Sequence, residues 1–253
     1  LVMKVLVIGD VCEDVYVYGK CNRLAPEAPV PVFVKTREKR NGGMALNVFN
    51  NLKALGVDCD IVHNAEEIEK TRYVDTQTNH IFIRIDSDEA GIKRVDKKVL
   101  TKKYLSQYDA IVISDYNKGF LSETDIEKIC YYHPLTFMDT KKKLGRWSED
   151  CKWIKINEPE YNNTKKEIQE RMYVYEDSLI VTLGSKGCKY KNKTYTVNEV
   201  EIKDLVGAGD TFLAGFVSRY LHTKNVDDAL IFANECATIV VQQKGVNVVQ
   251  KSE

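Results

Sequence analysis

The residues best suited to chemistry stand together late in the chain, in the run 204–211 (DLVGAGDT) just before an amphipathic helix. Two glycines around a small residue let the backbone turn tightly and point successive amides outward. The first amides of a helix have no internal partner, and the helix dipole adds partial positive charge there. We therefore predict that Gly207, Ala208 and Gly209 form an anion site suited to a phosphoryl group. The alternative is an ordinary helix start with capping residues.

Asp210 follows this anion site and could act as general base, accepting the proton of a hydroxyl group that attacks the phosphoryl group. The helix dipole favours the ionised carboxylate, so the sequence predicts a low pKa for Asp210 and hence a weak base. We therefore expect the proton to move late, once the attacking hydroxyl has become acidic by bonding to phosphorus.

Several common signatures of nucleotide-binding and hydrolytic enzymes are missing from the sequence. It contains neither a G-x-x-x-x-G-K-[ST] P-loop nor a G-x-G-x-x-G fingerprint after the first predicted strand. The protein-kinase motifs, G-x-S-x-G and H-E-x-x-H are missing too. The histidines share no metal-ligand spacing, so we expect core or surface roles for His63, His80, His133 and His222. These omissions exclude a P-loop ATPase and argue against a dinucleotide-dependent oxidoreductase.

Apolar runs of strand length alternate with amphipathic segments of helical period along most of the chain. Continuous apolar runs are typical of parallel strands that are buried on both faces. Strands separated by helices indicate an α/β fold with a central, mostly parallel sheet flanked by helices. We predict strands over 4–8, 110–113, 135–138, 153–156 and 178–183, and helices over 43–55, 123–131, 208–221 and 226–242.

Two stretches interrupt this alternation, because residues 14–36 and 71–86 are rich in β-forming residues and have no helix between their strands. Pro29 and Pro31 argue for an edge strand, since proline cannot donate a hydrogen bond to a sheet ladder. We interpret the two stretches as a small β-strand lid on a single domain that spans 1–253. The alternative is a set of edge hairpins on the main sheet.

The composition excludes several classes of partner. The chain has 253 residues, of which 43% are hydrophobic, and this is enough for one large domain with a buried core. Lys and Arg number 37 and Asp and Glu number 37, so no net basic charge would attract nucleic acid or a membrane surface. The seven cysteines form no C-x-x-C pair and the N-terminal residues resemble a strand rather than a signal peptide. We therefore expect reduced thiols in the cytoplasm.

Four segments resemble, in the same order, the motifs of the PfkB or ribokinase-like carbohydrate kinases. These segments are 41–47 (NGGMALN), 157–160 (NEPE), 182–187 (TLGSKG) and 204–215 (DLVGAGDTFLAG). In that family they correspond to the N-terminal signature, the N-x-x-E element, the strand-turn that contacts ATP, and the C-terminal signature. The resemblance covers nearly the whole chain. It implies a ribokinase-like fold and phosphorylation of a carbohydrate hydroxyl by ATP.

The segments 9–32, 71–86 and 114–119 further resemble the bacterial heptose-phosphate kinases. That group phosphorylates the anomeric hydroxyl of D-glycero-D-manno-heptose 7-phosphate on the route to ADP-heptose. The stretch 55–71 is shorter than is usual in the family, and the expected G-x-D-x-x-G loop is not visible there. Another sugar, a sugar phosphate or a nucleoside therefore remains an alternative acceptor. A non-catalytic sugar- or nucleotide-binding regulator is an alternative of a different class.

The resemblance also implies which residues bind the substrates. The sugar hydroxyls would be bound by Asp10, Asp14, Gly42, Gly43 and Asn47. A phosphate already on the sugar would be bound by one or more of Arg23, Arg72, Arg84 and Lys118. ATP would be bound by Asn157, Glu160, Thr182, Gly184, Gly187 and Asn234. Mg²⁺ would be held by Glu160 through water, because this ion keeps most of its hydration shell.

A structural role is the alternative for several of these residues. Asp10 could cap a loop, Asn47 could occupy a solvated helix position, and any single cation could be a surface charge. Asn157 could cap the following helix, and Asn234 could be a helix-face amide. For the lid, exposed apolar strands favour pairing with a second copy, so we expect a homodimer formed through the lid strands.

Overall fold

The computed structural model describes residues 3–87, 89–243, 245 and 247–249. The predicted domain 1–253 therefore includes terminal residues that lie outside the described ones. The strands, in chain order, are β1 (Lys4–Gly9), β2 (Val11–Leu24), β3 (Pro31–Met44), β4 (Asp58–His63), β5 (Glu69–Asp75), β6 (Ile81–Asp86), β7 (Ala110–Asp115), β8 (Thr136–Thr140), β9 (Trp153–Asn157), β10 (Leu179–Thr182), β11 (Cys188–Tyr190) and β12 (Lys193–Tyr195).

The helices, again in chain order, are α1 (Ala45–Ala54), α2 (Lys102–Leu105), α3 (Glu123–Tyr132), α4 (Glu158–Asn163), α5 (Lys165–Glu170), α6 (Met172–Tyr175), α7 (Ala208–Thr223) and α8 (Val226–Val241). Two short 3-10 turns lie at Arg146–Ser148 and Gly184–Lys186. No helix in the part of the chain that the structure describes combines the length and the apolar character needed to cross a membrane. All seven cysteines are free thiols.

The central sheet has eight strands in the order β12-β11-β10-β9-β8-β7-β1-β4. All neighbours from β4 to β10 pair in parallel, and β11 and β12 add an antiparallel hairpin at the far edge. In β1, Val5 and Val7 pack in one core with α1, α7 and α8, while Leu6 and Ile8 pack in a second core with α3. Both faces of the strand are therefore covered, which explains its continuous apolar run. The predicted α/β class with a mostly parallel sheet is confirmed.

A second, smaller sheet of four strands in the order β3-β2-β5-β6 stands beside the central one, and we call it the lid. Strands β2 and β5 pair in parallel, and the other two pairs are antiparallel. Strand β3, which follows Pro29 and begins at Pro31, lies at an edge as the prolines indicated. The lid strands are longer than the predicted stretches, since β2 begins at Val11, β3 continues to Met44 and β5 begins at Glu69.

Two of the four connections between the lid and the rest of the fold are short. Asp10 alone separates β1 from β2, and β3 passes directly into α1 at Met44 and Ala45. The predicted helix start at residue 43 was wrong, because Gly43 still belongs to the β2–β3 ladder and Met44 has a φ of 58°, which is not helical. Strand β4 and the β11–β12 hairpin were not predicted. Both lie at edges of the central sheet, where polar residues such as Asp58 and Lys193 interrupt the apolar pattern.

Candidate active site

The residues predicted to bind an anion, Gly207, Ala208 and Gly209, lie at the amino end of α7. Gly207 is the cap residue and has a φ of 84°, a left-handed conformation that favours glycine. The amides of Gly209 and Asp210 donate to no backbone carbonyl among the described residues. The end of the helix therefore presents free donors and partial positive charge to a cleft. This geometry suits a phosphoryl group whose oxygens gain charge.

Asp210 is buried in the first turn of α7, and each of its carboxylate oxygens accepts a hydrogen bond. Asn47 Nδ2 donates to Oδ2 at 3.0 Å, and the Tyr116 hydroxyl donates to Oδ1 at 2.7 Å. Burial raises the pKa of Asp210 to about 6, although the two hydrogen bonds oppose the shift. The low pKa that the sequence predicted for Asp210 was therefore wrong. Loss of hydration outweighs the helix dipole, and Asp210 is a stronger base than expected.

Asn47 lies behind this carboxylate and not on the surface of the cleft. It is buried in α1, where its Oδ1 accepts a hydrogen bond from Asn51 Nδ2 at 3.0 Å. Its own amide donates to Asp210 and lies 3.4 Å from the Gly207 carbonyl. Asn47 therefore positions Asp210, and its role in binding sugar stays a prediction.

A cleft of about 790 Å³ opens in front of the anion site. Its size suits a nucleotide-sized ligand. The cleft is lined by five of the six residues predicted to bind ATP, namely Asn157, Thr182, Gly184, Gly187 and Asn234. Asn234 is buried at its wall and donates a hydrogen bond to the Tyr195 carbonyl at 2.9 Å. Ile202 and Leu205, two exposed apolar residues, also line the cleft and could cover the face of a base.

Glu160 does not line the cleft, because it closes a capping box at the start of α4. Asn157 Oδ1 accepts from the Glu160 amide at 2.8 Å, and Glu160 Oε2 accepts from the Asn157 amide at 2.8 Å. Glu160 Oε1 forms an ion pair with Lys141. The capping role that was the alternative for Asn157 is therefore present. Asn157 also reaches the cleft, so the two roles coexist.

Three charged residues at the floor of the cleft were missed by sequence reasoning. Asp139 at the end of β8 pairs with Lys155 of β9 at 2.6 Å, and Lys141 lies 3.8 Å from the other oxygen of Asp139. Burial lowers the pKa of Lys141, but the carboxylates of Asp139 and Glu160 outweigh it and hold that pKa above its usual value. Their positions in the predicted strands could have indicated them, because polar residues near the carboxyl ends of adjacent parallel strands meet at the same edge of a sheet.

The same floor has a donor set that fits a magnesium ion. Asp139 Oδ1 is buried without a hydrogen-bond partner, and it lines the cleft close to the capping box that contains Glu160. Carboxylate oxygens are the ligands that Mg²⁺ prefers, with water completing the shell. Among the described residues, no cluster of three or more His, Cys, Asp or Glu side chains could enclose a metal ion. The fit is therefore to an ion held mainly by phosphate oxygens and water.

A second pocket, of about 200 Å³, lies between the lid and the amino end of α7. Asp14 and Arg72 form a buried ion pair at 2.6 Å in its wall. Lys70 and Arg84 line it from β5 and β6, and Arg84 also donates two hydrogen bonds of 2.7 Å to Asp86. Tyr116, Gly207 and Asp210 line both this pocket and the larger cleft. We call the small pocket the acceptor pocket.

The other predicted sugar-binding residues lie around this pocket rather than in its wall. A Cβ atom at Gly43 would lie 2.2 Å from Asp14 Oδ2, so Gly43 is required for the close approach of β3 to Asp14. A Cβ atom at Gly42 would meet the side chain of Leu46. Asp10 is buried and its Oδ2 accepts hydrogen bonds from the amides of Tyr116 and Lys118, at 2.7 and 3.3 Å. This loop-capping role was the alternative for Asp10.

Two of the cations predicted to bind phosphate lie outside both pockets. Lys118 forms an ion pair with Glu89 at 2.5 Å. Arg23 is exposed near the far end of β2. The structure thus brings together Asp14, Arg72, Arg84 and Asp210, and it leaves Arg23 and Lys118 apart from them.

Known proteins resemble the chain in both sequence and structure. The sequence profile of the pfkB family carbohydrate kinase matches residues 49–252. The Bifunctional protein HldE of Helicobacter pylori strain J99 is 32% identical over 295 residues, and that of a Nitratiruptor species is 27% identical over 292 residues. Each match includes 96% of this chain, which spans 63% and 62% of the respective relatives.

Two ribokinases of known structure share the fold. Ribokinase from Thermotoga maritima superimposes with a TM-score of 0.70 at 17% identity, over 96% of this chain and 94% of that one. Arabidopsis thaliana ribokinase, solved in complex with ribose and ATP, also superimposes with a TM-score of 0.70. It is 14% identical, and the match covers 97% of this chain and 94% of that one. The fold is ribokinase-like, as the motifs implied, and the chain belongs to the pfkB family of carbohydrate kinases.

Proposed function

We propose that the protein transfers the γ-phosphoryl group of ATP to a hydroxyl group of a phosphorylated sugar. The observation that carries this proposal is the position of Asp210, which lies where a nucleotide-sized cleft and a smaller pocket meet. A phosphate bound at the amino end of α7 and a hydroxyl in the acceptor pocket would both be next to this carboxylate. That arrangement is what in-line phosphoryl transfer requires.

The mechanism follows from the groups around the carboxylate. The free amides of Gly209 and Asp210 stabilise charge on the transferring phosphoryl oxygens, and the Lys155 and Lys141 ammonium groups add positive charge at the floor. Asp210 accepts the proton of the acceptor hydroxyl. A magnesium ion near Asp139 and Glu160 would neutralise further phosphate charge when bound. Lid residues line the acceptor pocket, so closure of the lid over a bound sugar would limit the access of water.

The test is the release of ADP, measured with a coupled assay across a panel of acceptors. We expect the highest kcat/KM with D-glycero-D-manno-heptose 7-phosphate, and lower values with ribose, fructose phosphates and nucleosides. A preference for one of these other acceptors would contradict the heptose assignment but keep the kinase. Binding of ATP or sugar without ADP release for any acceptor would contradict the kinase and favour a non-catalytic regulator.

The cations of the lid support an acceptor that carries its own phosphate. Arg72 is already paired with Asp14, while Lys70 and Arg84 line the acceptor pocket, and Arg84 donates from Nε and Nη2 to Asp86. Arginine is suited to phosphate because its planar group can donate two parallel hydrogen bonds. We therefore assign the phosphate of the acceptor to Arg84 and Lys70.

Replacement of Arg84 by Met is expected to raise the KM for the sugar phosphate about tenfold, because one charge-assisted hydrogen bond is lost. The KM for ATP should not change, since Arg84 does not line the nucleotide cleft. Arg23→Met is the matched control, because Arg23 is exposed and lines neither pocket. Equal KM values for the sugar phosphate in the two variants would contradict the assignment to Arg84.

We also propose that the protein forms a homodimer through the lid. The edge strand β6 exposes Ile81, Ile83 and Ile85, and an exposed apolar edge is suited to pairing with another copy. Sedimentation velocity of the wild type should give a dimer, and Ile83→Lys should shift the distribution to the monomer. A wild-type monomer at all accessible concentrations would contradict this proposal.

A further inference from the structure

Tyr116 belongs to the segment 114–119, but neither the predicted site residues nor the proposed mechanism includes it. It follows β7 and lies in the wall that separates the nucleotide cleft from the acceptor pocket, since it lines both. Its amide is held at 2.7 Å by Asp10 Oδ2, so the loop that carries Tyr116 is fixed to the joint between the two sheets. The position of the phenol is therefore defined by the fold.

The phenol occupies the site on the carboxylate where an acceptor hydroxyl would bind. The Tyr116 hydroxyl donates to Asp210 Oδ1 at 2.7 Å, while Oδ2 is already bound by Asn47. A sugar hydroxyl that gives its proton to Asp210 must donate in the same way, to a carboxylate oxygen that faces the acceptor pocket. Of the two oxygens, only Oδ1 has a partner that itself lines that pocket.

We propose that Tyr116 is a positioning residue that stands in for the acceptor hydroxyl on Asp210 in the sugar-free protein, keeping water off the carboxylate until the sugar displaces it. This inference rests on the proposed kinase function. A kinase that binds ATP before its acceptor has to prevent transfer of the phosphoryl group to water. A phenol bound to the base, and displaced from it by the sugar, does this without closing the pocket.

The electrostatic surroundings keep the phenol in the protonated, donating form. Burial raises the pKa of Tyr116 well above its usual value, and the negative charge of Asp210 adds to this shift. The ammonium groups of Lys141 and Lys70 lie 5.1 and 5.9 Å from the centre of the Tyr116 ring, one on the nucleotide side and one on the acceptor side. The ring is thus held between two cations as well as by its hydrogen bond.

The hydrogen bond has a measurable effect on Asp210, because a donor to the charged form lowers the pKa of a carboxylate. The other titratable or charged groups around Asp210 are, from the lid, Cys12, Asp14, Lys70, Arg72 and Arg84, and from the central sheet, Asp139, Lys141 and Lys155. None of them changes when Tyr116 is replaced by Phe. A change in the titration of Asp210 in that variant would therefore report the loss of the phenol hydroxyl.

The test compares wild type, Tyr116→Phe and the control Tyr190→Phe, whose hydroxyl donates to the Asp177 carbonyl at the surface. With Asp210 as base and a pKa of about 6, kcat/KM for the sugar, which reports the sugar-free enzyme in which Tyr116 still donates to Asp210, should fall as the pH drops below that value. In Tyr116→Phe we expect this acid limb to lie about one pH unit higher. At about pH 8, where the carboxylate is ionised in both proteins, ATP hydrolysis without sugar should rise several-fold. If the acid limb or the rate of ATP hydrolysis without sugar is the same in Tyr116→Phe as in the wild type, the proposal fails.

A third measurement does not depend on turnover. The carboxyl carbon of Asp210 can be titrated by ¹³C NMR in the substrate-free protein, with its signal assigned by comparison with Asp210→Asn. An upward shift of the pKa in Tyr116→Phe supports the contact between phenol and carboxylate, and an unchanged titration overturns it. Lack of ADP release by the wild type with every acceptor would instead contradict the proposed function. The two failures are therefore distinguishable.

Discussion

Replacement of Asp210 by Asn is expected to lower kcat about 10³-fold while the KM values for ATP and sugar change little. Asparagine has nearly the same shape, so it still fits the first turn of α7 between Asn47 and Tyr116. Its Oδ1 can accept from Asn47 Nδ2, and its amide can donate to the phenol oxygen of Tyr116. It cannot, however, take a proton from the acceptor hydroxyl.

The measurement is steady-state kinetics with both substrates varied, together with calorimetric binding of ATP. Asp60→Asn is the matched control. Asp60 lies on the edge strand β4, pairs with Lys4 of β1 and lines neither pocket. We expect the control to retain the wild-type kcat. A kcat for Asp210→Asn within a few-fold of the wild type would rule out Asp210 as the base and with it the mechanism proposed above.

Replacement of Lys155 by Met is expected to have the largest effect on stability. Lys155 and Asp139 are 4% and 2% exposed in their side chains, so the variant removes the cation that contacts this buried carboxylate and leaves it the more distant Lys141. Removing one partner of a buried pair costs about 3–5 kcal/mol of unfolding free energy. The loss of a cation at the floor of the cleft should also lower kcat about 10²-fold. Urea denaturation and steady-state kinetics measure the two effects.

The double variant Lys155→Met/Asp139→Asn separates these effects. Asp139→Asn removes the buried negative charge and should restore much of the unfolding free energy. The kcat should stay low, because the Lys155 ammonium group is still missing. The control Lys4→Met breaks the exposed pair with Asp60, and should cost less than about 1 kcal/mol. A single variant as stable as Lys4→Met, or a double variant with the wild-type kcat, would contradict the role assigned to Lys155.

The parts of the site that could be predicted from sequence are those whose residues are neighbours in the chain. The run 207–210 builds the amino end of α7 by itself, and Thr182, Gly184 and Gly187 belong to one strand and its turn. Local conformation decides both. The spacing of residues within each run therefore indicated its local structure. Four such runs in the order typical of one family were enough to indicate the fold.

Tyr116, Asp139 and Lys155 could not be predicted in this way, since Tyr116 follows β7 while Asp139 and Lys155 belong to β8 and β9. Their closeness depends on the order of strands in the sheet, which no single motif encodes. The pKa of Asp210 was mispredicted for a related reason. The helix dipole is a local property, whereas burial depends on packing against α1 and the loop after β7.

The single residue between β1 and β2 has a mechanical consequence. Asp10 links the lid to the central sheet, and its carboxylate holds the amides of Tyr116 and Lys118. With β3 continuous into α1, the lid has no slack at these two joints, whereas longer segments connect β4 to β5 and β6 to α2. Rotation of the lid must therefore be absorbed as backbone torsion at Asp10 and Met44, next to the loop that carries the phenol. Rotation of the lid and loss of the hydrogen bond between Tyr116 and Asp210 would then be coupled. Binding of the sugar under the lid would therefore free the Asp210 carboxylate to accept a proton.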